Sequence, residues 1–415
     1  MALIDLVDWL EENSKPNIIW YIKRLSANDT LANKAHQAGP YIPRSFIFKI
    51  FPQIYRPDLE NPDYKFDLYV DSHADHRIVR AIWYNNRLRG KTRNESRITG
   101  FGGQKSPLLD PESTGALTIF SFTLDDRGVA INCHVWVCQN DIEEDVIENK
   151  LGAIEPGDYT IWTPTSGRSE IEPTSVRVNC KLELHEIPSC WLSNFPSGED
   201  IIRKTIEMRP EDGMNPDMRL IRRRNCEYEI FQSIEQATYL PYISKGFTNI
   251  ESFVALAQKI LQSRKSRSGN SLELHAKQIF LEEGLRSKVE FEYKPIIEDG
   301  KRPDFIFPSK FAYDNANFPD KGLRMLAVKT TCKDRWRQVI NEASRIKTKH
   351  LLTLQEGVSD GQFREMQEAG IQLVVPEKLQ SFYPISIRPY LVNLESFIAD
   401  IRLVAIEYET YYKQC

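Results

Sequence analysis

The hydrophobic pattern of this chain changes period once, and that change divides what it can fold into. Between residues 16 and 165 the apolar residues come in short extended runs, among them Ile18-Ile19-Trp20-Tyr21, Phe46-Ile47-Phe48, 66–70, 80–84, 115–122 and 132–138. They are rich in β-branched and aromatic side chains and are separated by Pro, Gly, Asn and Asp, the pattern of strands with turns between them. Short strands in this number predict a barrel or sandwich, with one helix expected over 143–150. From about residue 200 the spacing becomes three and four, and residues 200–208, 217–237, 250–262 and 271–283 read as amphipathic helices. Between the two regimes, residues 164–178 are polar, are punctuated by Pro164 and Pro173, and keep no lasting period, which is linker composition. The expected organisation is therefore a β-rich domain over 1–168, a linker over 169–186 and an α/β domain with a mixed sheet over 187–415. A length of 415 residues suits two cores.

The net charge of −4 excludes a generally cationic surface, so nucleic-acid contact has to come from local basic patches. The first twelve residues carry Asp5, Asp8, Glu11 and Glu12 where a signal peptide needs cations, and they read as an amphipathic helix. No apolar run approaches the ~20 residues of a membrane span. Seven scattered cysteines, an odd number, point to a reducing cytoplasm and reduced thiols rather than a disulfide framework. Cys133, His134 and Cys138 sit in a run that looks like a strand, and no second ligand pair with zinc spacing follows. Gly90-Lys91-Thr92 resembles the end of a phosphate-binding loop, but Asn85 stands where that motif needs its first glycine. The surrounding stretch, 85–97, holds five cations among Asn and Glu on an expected connection between strands. Arg reads guanine bidentately and Glu accepts from cytosine, so this mixture suits base reading, with a solvated charged loop as the alternative. Arg222-Arg223-Arg224 and Arg264-Lys265-Ser266-Arg267 form two more cationic clusters, ordinarily solvated or ion-paired, and phosphate-facing if a nuclease core accompanies them.

Residues 303–342 carry the parts of such a core. Pro303 lacks a ladder donor and belongs at a strand's start, which puts Asp304 at the mouth of the sheet. The next strand is expected over 323–331, with Lys329 on it. A helix is expected after Lys333, with Asp334 as N-cap, Trp336, Val339, Ile340, Ala343 and Ile346 as its buried face and Glu342 near its rim. One helix earlier, Leu272, Ala276, Ile279 and Phe280 form an apolar stripe with Glu273 beside it, and an Asp299-Gly300 turn precedes the Asp304 strand. Carboxylates from neighbouring elements bind Mg²⁺ beside a phosphodiester, and a lysine orients or deprotonates the attacking water. Such carboxylates are expected to have raised pKa values without metal. Singly, the same residues read as a strand-entry turn, a strand-edge charge and a helix-rim ion pair.

Together they resemble the PD-(D/E)xK nuclease signature with one departure: Ala327 occupies the place of the acid two before the lysine, and Glu342 is the natural substitute, with Glu273 the other candidate. Segments 21–30, 90–95, 106–117, 265–275, 302–307 and 324–337 extend the resemblance, across both halves, to the EcoRII-like type II (IIE) restriction endonucleases. That resemblance implies Mg²⁺-dependent cleavage of double-stranded DNA before the first cytosine of CCWGG, where W is A or T, by a homodimer joined through the catalytic domain. It implies a bacterial cytoplasmic enzyme paired with a cognate DNA methyltransferase. The N-terminal domain would be a pseudobarrel like those of plant transcription factors, binding a further copy of the site as effector and covering the cleft until occupied. Carried over by position, the catalytic set is Glu273, Asp304, Tyr313, Lys329, Lys333 and Glu342, with Asp304 and Glu342 as metal ligands. The DNA-binding set is Lys91, Arg93, Glu95 and Arg97 with Arg87 just before them, His36, and Arg222, Arg223 and Arg224. Ser96 replaces a lysine expected in the recognition loop. The alternative is a catalytically silent sequence-specific DNA-binding regulator, motivated by Ala327.

Overall fold

The computed structural model describes residues 3–33, 39–102, 106–151, 154–163, 180–211, 213–333 and 335–414. In the first half the extended runs become seven strands: β1 (Ile18–Arg24), β2 (Asp63–Val70), β3 (Asp75–Tyr84), β4 (Glu95–Thr99), β5 (Leu117–Leu124), β6 (Ala130–Val137) and β7 (Tyr159–Trp162). They form one curled sheet in the order β4-β3-β2-β6-β5-β1-β7, the expected pseudobarrel, with only β2 and β6 parallel. Three helices accompany it: α1 (Leu3–Glu12), α2 (Arg44–Ile50) and α3 (Asp141–Leu151). Alternation along β1 sends Tyr21 into a core with Phe46, Phe120 and Phe122, while Trp20 and Ile22 face Leu6, Trp9 and Ile147 on α1 and α3. The run 46–48, expected as a strand, lies instead within α2. Pro43 precedes that helix, and Phe46, Ile47 and Ile50 bury at helical spacing. Likewise Glu95 and Arg97, expected on a connection, lie on β4.

The second half contains α4 (Ser189–Ser193), α5 (Gly198–Met208), α6 (Pro216–Lys245), α7 (Ile250–Glu282), α8 (Lys310–Asp314), α9 (Trp336–Val339), α10 (Asp360–Glu368), α11 (Glu377–Gln380) and α12 (Leu394–Gln414). Five strands, β8 (Glu292–Tyr293), β9 (Phe305–Phe307), β10 (Arg324–Val328), β11 (Lys349–Leu352) and β12 (Ile371–Val374), form a sheet in the order β12-β11-β10-β9-β8. β10, β11 and β12 run parallel and β9 is antiparallel to β8 and β10, so the sheet is mixed as expected. Its two faces bury separate layers. Met325 and Ala327 pack with Trp336, Val339 and Phe363. Leu326 and Val328 pack with Phe280 of α7 and Phe397 of α12.

Three features differ from what the sequence predicts. Residues 250–262 and 271–283 belong to one 33-residue helix, α7, so the 264–267 cluster lies inside it. That polar middle is held by tertiary ion pairs, Arg264 to Glu235 and Arg267 to Glu227, both on α6. The helix expected to carry Glu342 stops at Val339, and Glu342 sits on a turn whose next residue, Ala343, has φ 46°. Trp336, Val339, Ala343 and Ile346 are buried nonetheless, because consecutive turns satisfy the same burial spacing. The N-cap expectation at Asp334 lies outside the described residues. Finally, Cys180 and Cys226 form a disulfide, against the expectation of reduced thiols throughout. Their Cα atoms stand 5.2 Å apart, within disulfide range, because Glu229 and Ser233 of α6 accept from the backbone N–H groups of Cys180 and Leu182. Of the expected linker, residues 169–179 lie outside the described residues and Leu184–Glu186 form a 3₁₀ turn.

The two halves meet in close backbone contact. Ala27 N–H donates to the Glu356 carbonyl at 3.0 Å, and a Cβ on Gly357, at φ +107°, would fall 2.5 Å from the Ala27 Cβ. Beneath the second sheet, Phe280 touches the rings of Phe291, Phe305 and Phe307 at centroid distances of 5.7, 5.2 and 5.5 Å. Phe280→Ala is expected to cost about 3–5 kcal/mol, measured as a lowered urea midpoint; an unchanged midpoint would show that this layer repacks.

Candidate active site

Pro303 starts the β9 segment, so Asp304 stands at its mouth, 8% exposed. Its Oδ2 accepts the Val328 N–H at 2.8 Å, a backbone bond that fixes the carboxylate against the end of β10. Lys329, one residue past β10, brings its Nζ to 3.9 Å from the same oxygen. Lys329 follows Ala327 by two positions and so emerges on that residue's face of the sheet. The turn after α9 lies on this face too, and it delivers Glu342. Glu273 comes from α7 on the other face, and its Oε2 is held by Tyr293 Oη at 3.0 Å and by Lys294 Nζ at 2.7 Å.

Three carboxylates thus share one field. Burial, then Asp304, pushes the Glu342 carboxyl up to about 7 against the pull of Lys329 and Lys349. The same two causes raise Glu273, opposed by Lys294 and Tyr293. Glu342 Oε2 is buried with no hydrogen-bond partner, so one carboxylate oxygen in this cluster retains unused donor capacity for a cation.

Two residues of the expected catalytic set stand away from this group. Tyr313, on α8, donates its hydroxyl to Glu298 Oε1 at 2.7 Å and is pushed up to about 12 by burial and by that bond. Lys333 Nζ donates to the Cys138 carbonyl of the first half at 3.1 Å. Sequence reasoning missed Tyr293, Lys294, Glu298 and Lys349. Nothing in their spacing marks them, because their partners are set by strand pairing and by a turn.

The arginine cluster on α6 splits three ways. Arg222 is exposed and pairs with Glu211. Arg223 is 1% exposed and locked to Glu282 and to the Arg209 carbonyl. Arg224 pairs with Glu155 of the first half, which also holds Arg267. In the first half, Arg87 and Lys91 are exposed on and beside a 3₁₀ turn. Arg93 stacks over the Tyr84 ring at 3.7 Å and pairs with Glu95. Arg97 bonds Glu95 and the carbonyls of Asn28 and Gly39. His36 lies outside the described residues.

The raised Glu342 carboxyl has a sign that can be tested. Its folded pKa, about 7, lies above the ordinary 4.5, so ionisation opposes the metal-free fold. That penalty is absent below about pH 4.5 and complete above about pH 7. Glu342→Gln is expected to gain up to about 2 kcal/mol over the parent at pH 8 and nothing at pH 4.5, read from urea midpoints without divalent cations. Equal midpoints at both pH values would mean that the carboxylate is solvated.

Comparison with known proteins follows this division of the chain. Residues 14–166 match the family model described as restriction endonuclease EcoRII, N-terminal, and residues 231–398 match the one described as EcoRII C terminal. Over 396 residues the chain is 44% identical to the type II restriction enzyme EcoRII of Escherichia coli, covering 95% of this chain and 96% of that one. Among solved structures, metal-depleted Ecl18kI in complex with uncleaved, modified DNA matches with TM-score 0.44 and 18% identity, over 52% of this chain and 81% of that chain. The UbaLAI restriction endonuclease B3 domain with cognate DNA matches with TM-score 0.26 and 20% identity, over 38% of this chain and 98% of that chain.

Proposed function

This chain belongs to the EcoRII family and is a type II site-specific deoxyribonuclease, and from that premise we propose Mg²⁺-dependent hydrolysis of double-stranded DNA at CCWGG-like sites, restrained by the N-terminal domain until it binds a further site copy. Family membership removes the silent-regulator alternative that Ala327 had suggested. The observation that carries the catalytic reading is the joint placement of Asp304, Lys329 and a Glu342 with an unpaired buried oxygen.

The donor set fits the ion. Among the described residues no three His, Cys, Asp or Glu side chains converge as a ligand cage. Asp304 and Glu342 would therefore act as a pair of hard oxygen donors, with waters and a substrate phosphate completing the shell, which is the usual mode for Mg²⁺. Bound there, Mg²⁺ supplies charge neutralisation at the phosphodiester oxygens. Lys329 orients the attacking water and holds positive charge where the transition state gains negative charge. Glu273 adds a third carboxylate behind Asp304, and Lys333 contributes a phosphate contact once it leaves the Cys138 carbonyl. Arg222 is a phosphate or base contact beside the cleft; Arg224 joins it on leaving Glu155, and Arg223 only by giving up its pair with Glu282.

We assign the 87–97 segment to the effector copy, with Arg87, Lys91, Arg93, Glu95 and Arg97 as readers and His36 as a residue facing the nuclease half. We place the domains at 1–168 and 187–415 with a linker at 169–186, whose last residues, Cys180 and Leu182 among them, pack on α6. The same family reading supplies a homodimer through the catalytic domain, a cytoplasmic bacterial setting and a partner methyltransferase. No helix among the described residues is long and apolar enough to cross a membrane.

Restraint is supported by what lies over the cleft. A cavity of about 340 Å³ is lined by Glu273 and Lys329 from one half and by Asp141, Asp145 and Glu148 of α3 from the other. Arg335 Nη2 lies 3.9 Å from Asp145 and 4.0 Å from Glu148. Three carboxylates of α3 thus line the same space as Glu273 and Lys329, where a duplex would have to bring its phosphates.

With Mg²⁺ and DNA carrying several CCWGG copies, the full chain is expected to yield discrete fragments whose ends map to the site. Asp304→Ala should lower that rate by on the order of 10³-fold while site-specific binding persists, and undiminished cutting would refute the catalytic assignment. Glu155→Gln, which weakens the hold on Arg224 and Arg267, should raise cleavage of single-site DNA by roughly five- to tenfold, as a release of about 1 kcal/mol or more would. An unchanged single-site rate would argue against restraint by this contact.

A further inference from the structure

Glu342 has no helix beneath it, so something else must hold its turn. The contacts converge on Glu298, in the turn between β8 and β9. Its Oε1 accepts from Ser344 N at 2.7 Å, from Ser344 Oγ at 2.9 Å and from Tyr313 Oη at 2.7 Å. Ser344 is two residues past Glu342, and Glu298 is six before Asp304. One carboxylate therefore couples the segment leading into Asp304 to the turn that presents Glu342. The neighbouring Arg345 supports the same turn from outside, reaching the Phe318 carbonyl at 2.9 Å and Asp320 at 2.7 Å. Ala343, between Glu342 and Ser344, is fully buried and left-handed, which leaves the turn little freedom once both ends are tied. Hydrogen bonds to an ionised carboxylate are about twice as strong as neutral ones, so a charged side chain suits this clamp better than an amide.

We propose that Glu298 is a positioning residue that fixes the Glu342 turn relative to Asp304 and thereby sets the protein's affinity for a divalent cation, with Tyr313 acting through Glu298 rather than on the DNA. This rests on the reading of Asp304 and Glu342 as the metal pair. Partners that orient metal ligands typically change affinity by about 10- to 100-fold when removed, and that is the size of effect expected.

The test compares full-length Glu298→Ala, Glu298→Gln, Tyr313→Phe and Asp304→Ala with the parent. Ca²⁺ binding is followed by calorimetry without DNA, the Mg²⁺ dependence of cleavage and metal-free affinity for a CCWGG duplex are measured separately, and the urea midpoint serves as a folding control. Glu298→Ala should weaken Ca²⁺ binding and raise the half-saturating Mg²⁺ by about tenfold or more. At saturating Mg²⁺ its kcat should return to near the parental value, and metal-free DNA affinity should be unchanged. Glu298→Gln, which keeps one acceptor in place, should fall between, and Tyr313→Phe should shift metal affinity only about two- to threefold. Should Glu298→Ala misfold, Glu298→Gln decides alone. Unchanged Ca²⁺ affinity in the folded Glu298 variants, with or without a fall in kcat, would overturn the proposal. Unchanged Ca²⁺ affinity in Asp304→Ala would instead show that the metal pair itself is misassigned.

Discussion

Like charges gathered in a poorly solvated cleft set the conditions for everything around them. Burial and the neighbouring Asp304 raise the cost of ionising both Glu342 and Glu273, and the surrounding structure relieves that cost unevenly. Asp304 has the Val328 N–H and the Lys329 ammonium. Glu273 has Tyr293 and Lys294. Glu342 keeps a buried oxygen with no partner. The imbalance is directional, because the two offset carboxylates are held in place and the third is left with capacity that only a cation, or a proton, can satisfy.

The contact between the halves continues the same electrostatics. Arg24 on β1 pairs with Glu144 and Glu148 of α3, which ties that helix to the sheet. The other oxygen of Glu148 lies 4.0 Å from Arg335, so a single carboxylate links the interior of the first half to the rim of the cleft. Glu155 does the equivalent on the far side by holding both Arg224 and Arg267. The cations at this boundary thus meet carboxylates where a nucleic acid would offer phosphates, and Gly357 lets the backbones come near enough for the pairs to form.

Much of this was legible in the sequence where local rules decide the outcome. The extended runs, the switch to helical spacing, and a proline that holds Asp304 at the strand's mouth all act within a few residues. The Glu342 turn was not legible, because Trp336, Val339, Ala343 and Ile346 bury with helical spacing whether or not the helix continues. The helix ends at Val339, and the turn beyond it is shaped by a left-handed Ala343 and tied through Ser344 to Glu298, 44 positions earlier than Glu342. The polar middle of α7 looked like a break because its cations have partners on another helix. The Cys180–Cys226 bond spans 46 residues, a distance over which no spacing rule operates. Phe46 to Phe48 failed for the opposite reason: apolar runs of three fit either period, and Pro43 decided for the helix.

The missing acid at position 327 follows from the same geometry. Ala327 is fully buried in the layer that contains Trp336, Val339 and Ala343, so its side chain faces the segment that leads to Glu342. A carboxylate there would either lose its solvent or push that segment away from the sheet. A methyl group leaves the space in which the turn can approach, and the approach brings Glu342 into the field of Asp304 and Lys329. A small side chain at 327 and the approach of the Glu342 turn are therefore parts of one packing arrangement. Restoring an acid at 327 while Glu342 remains would add a fourth negative charge to a cluster that already leaves one oxygen unpaired, and would remove the packing that holds the turn in place.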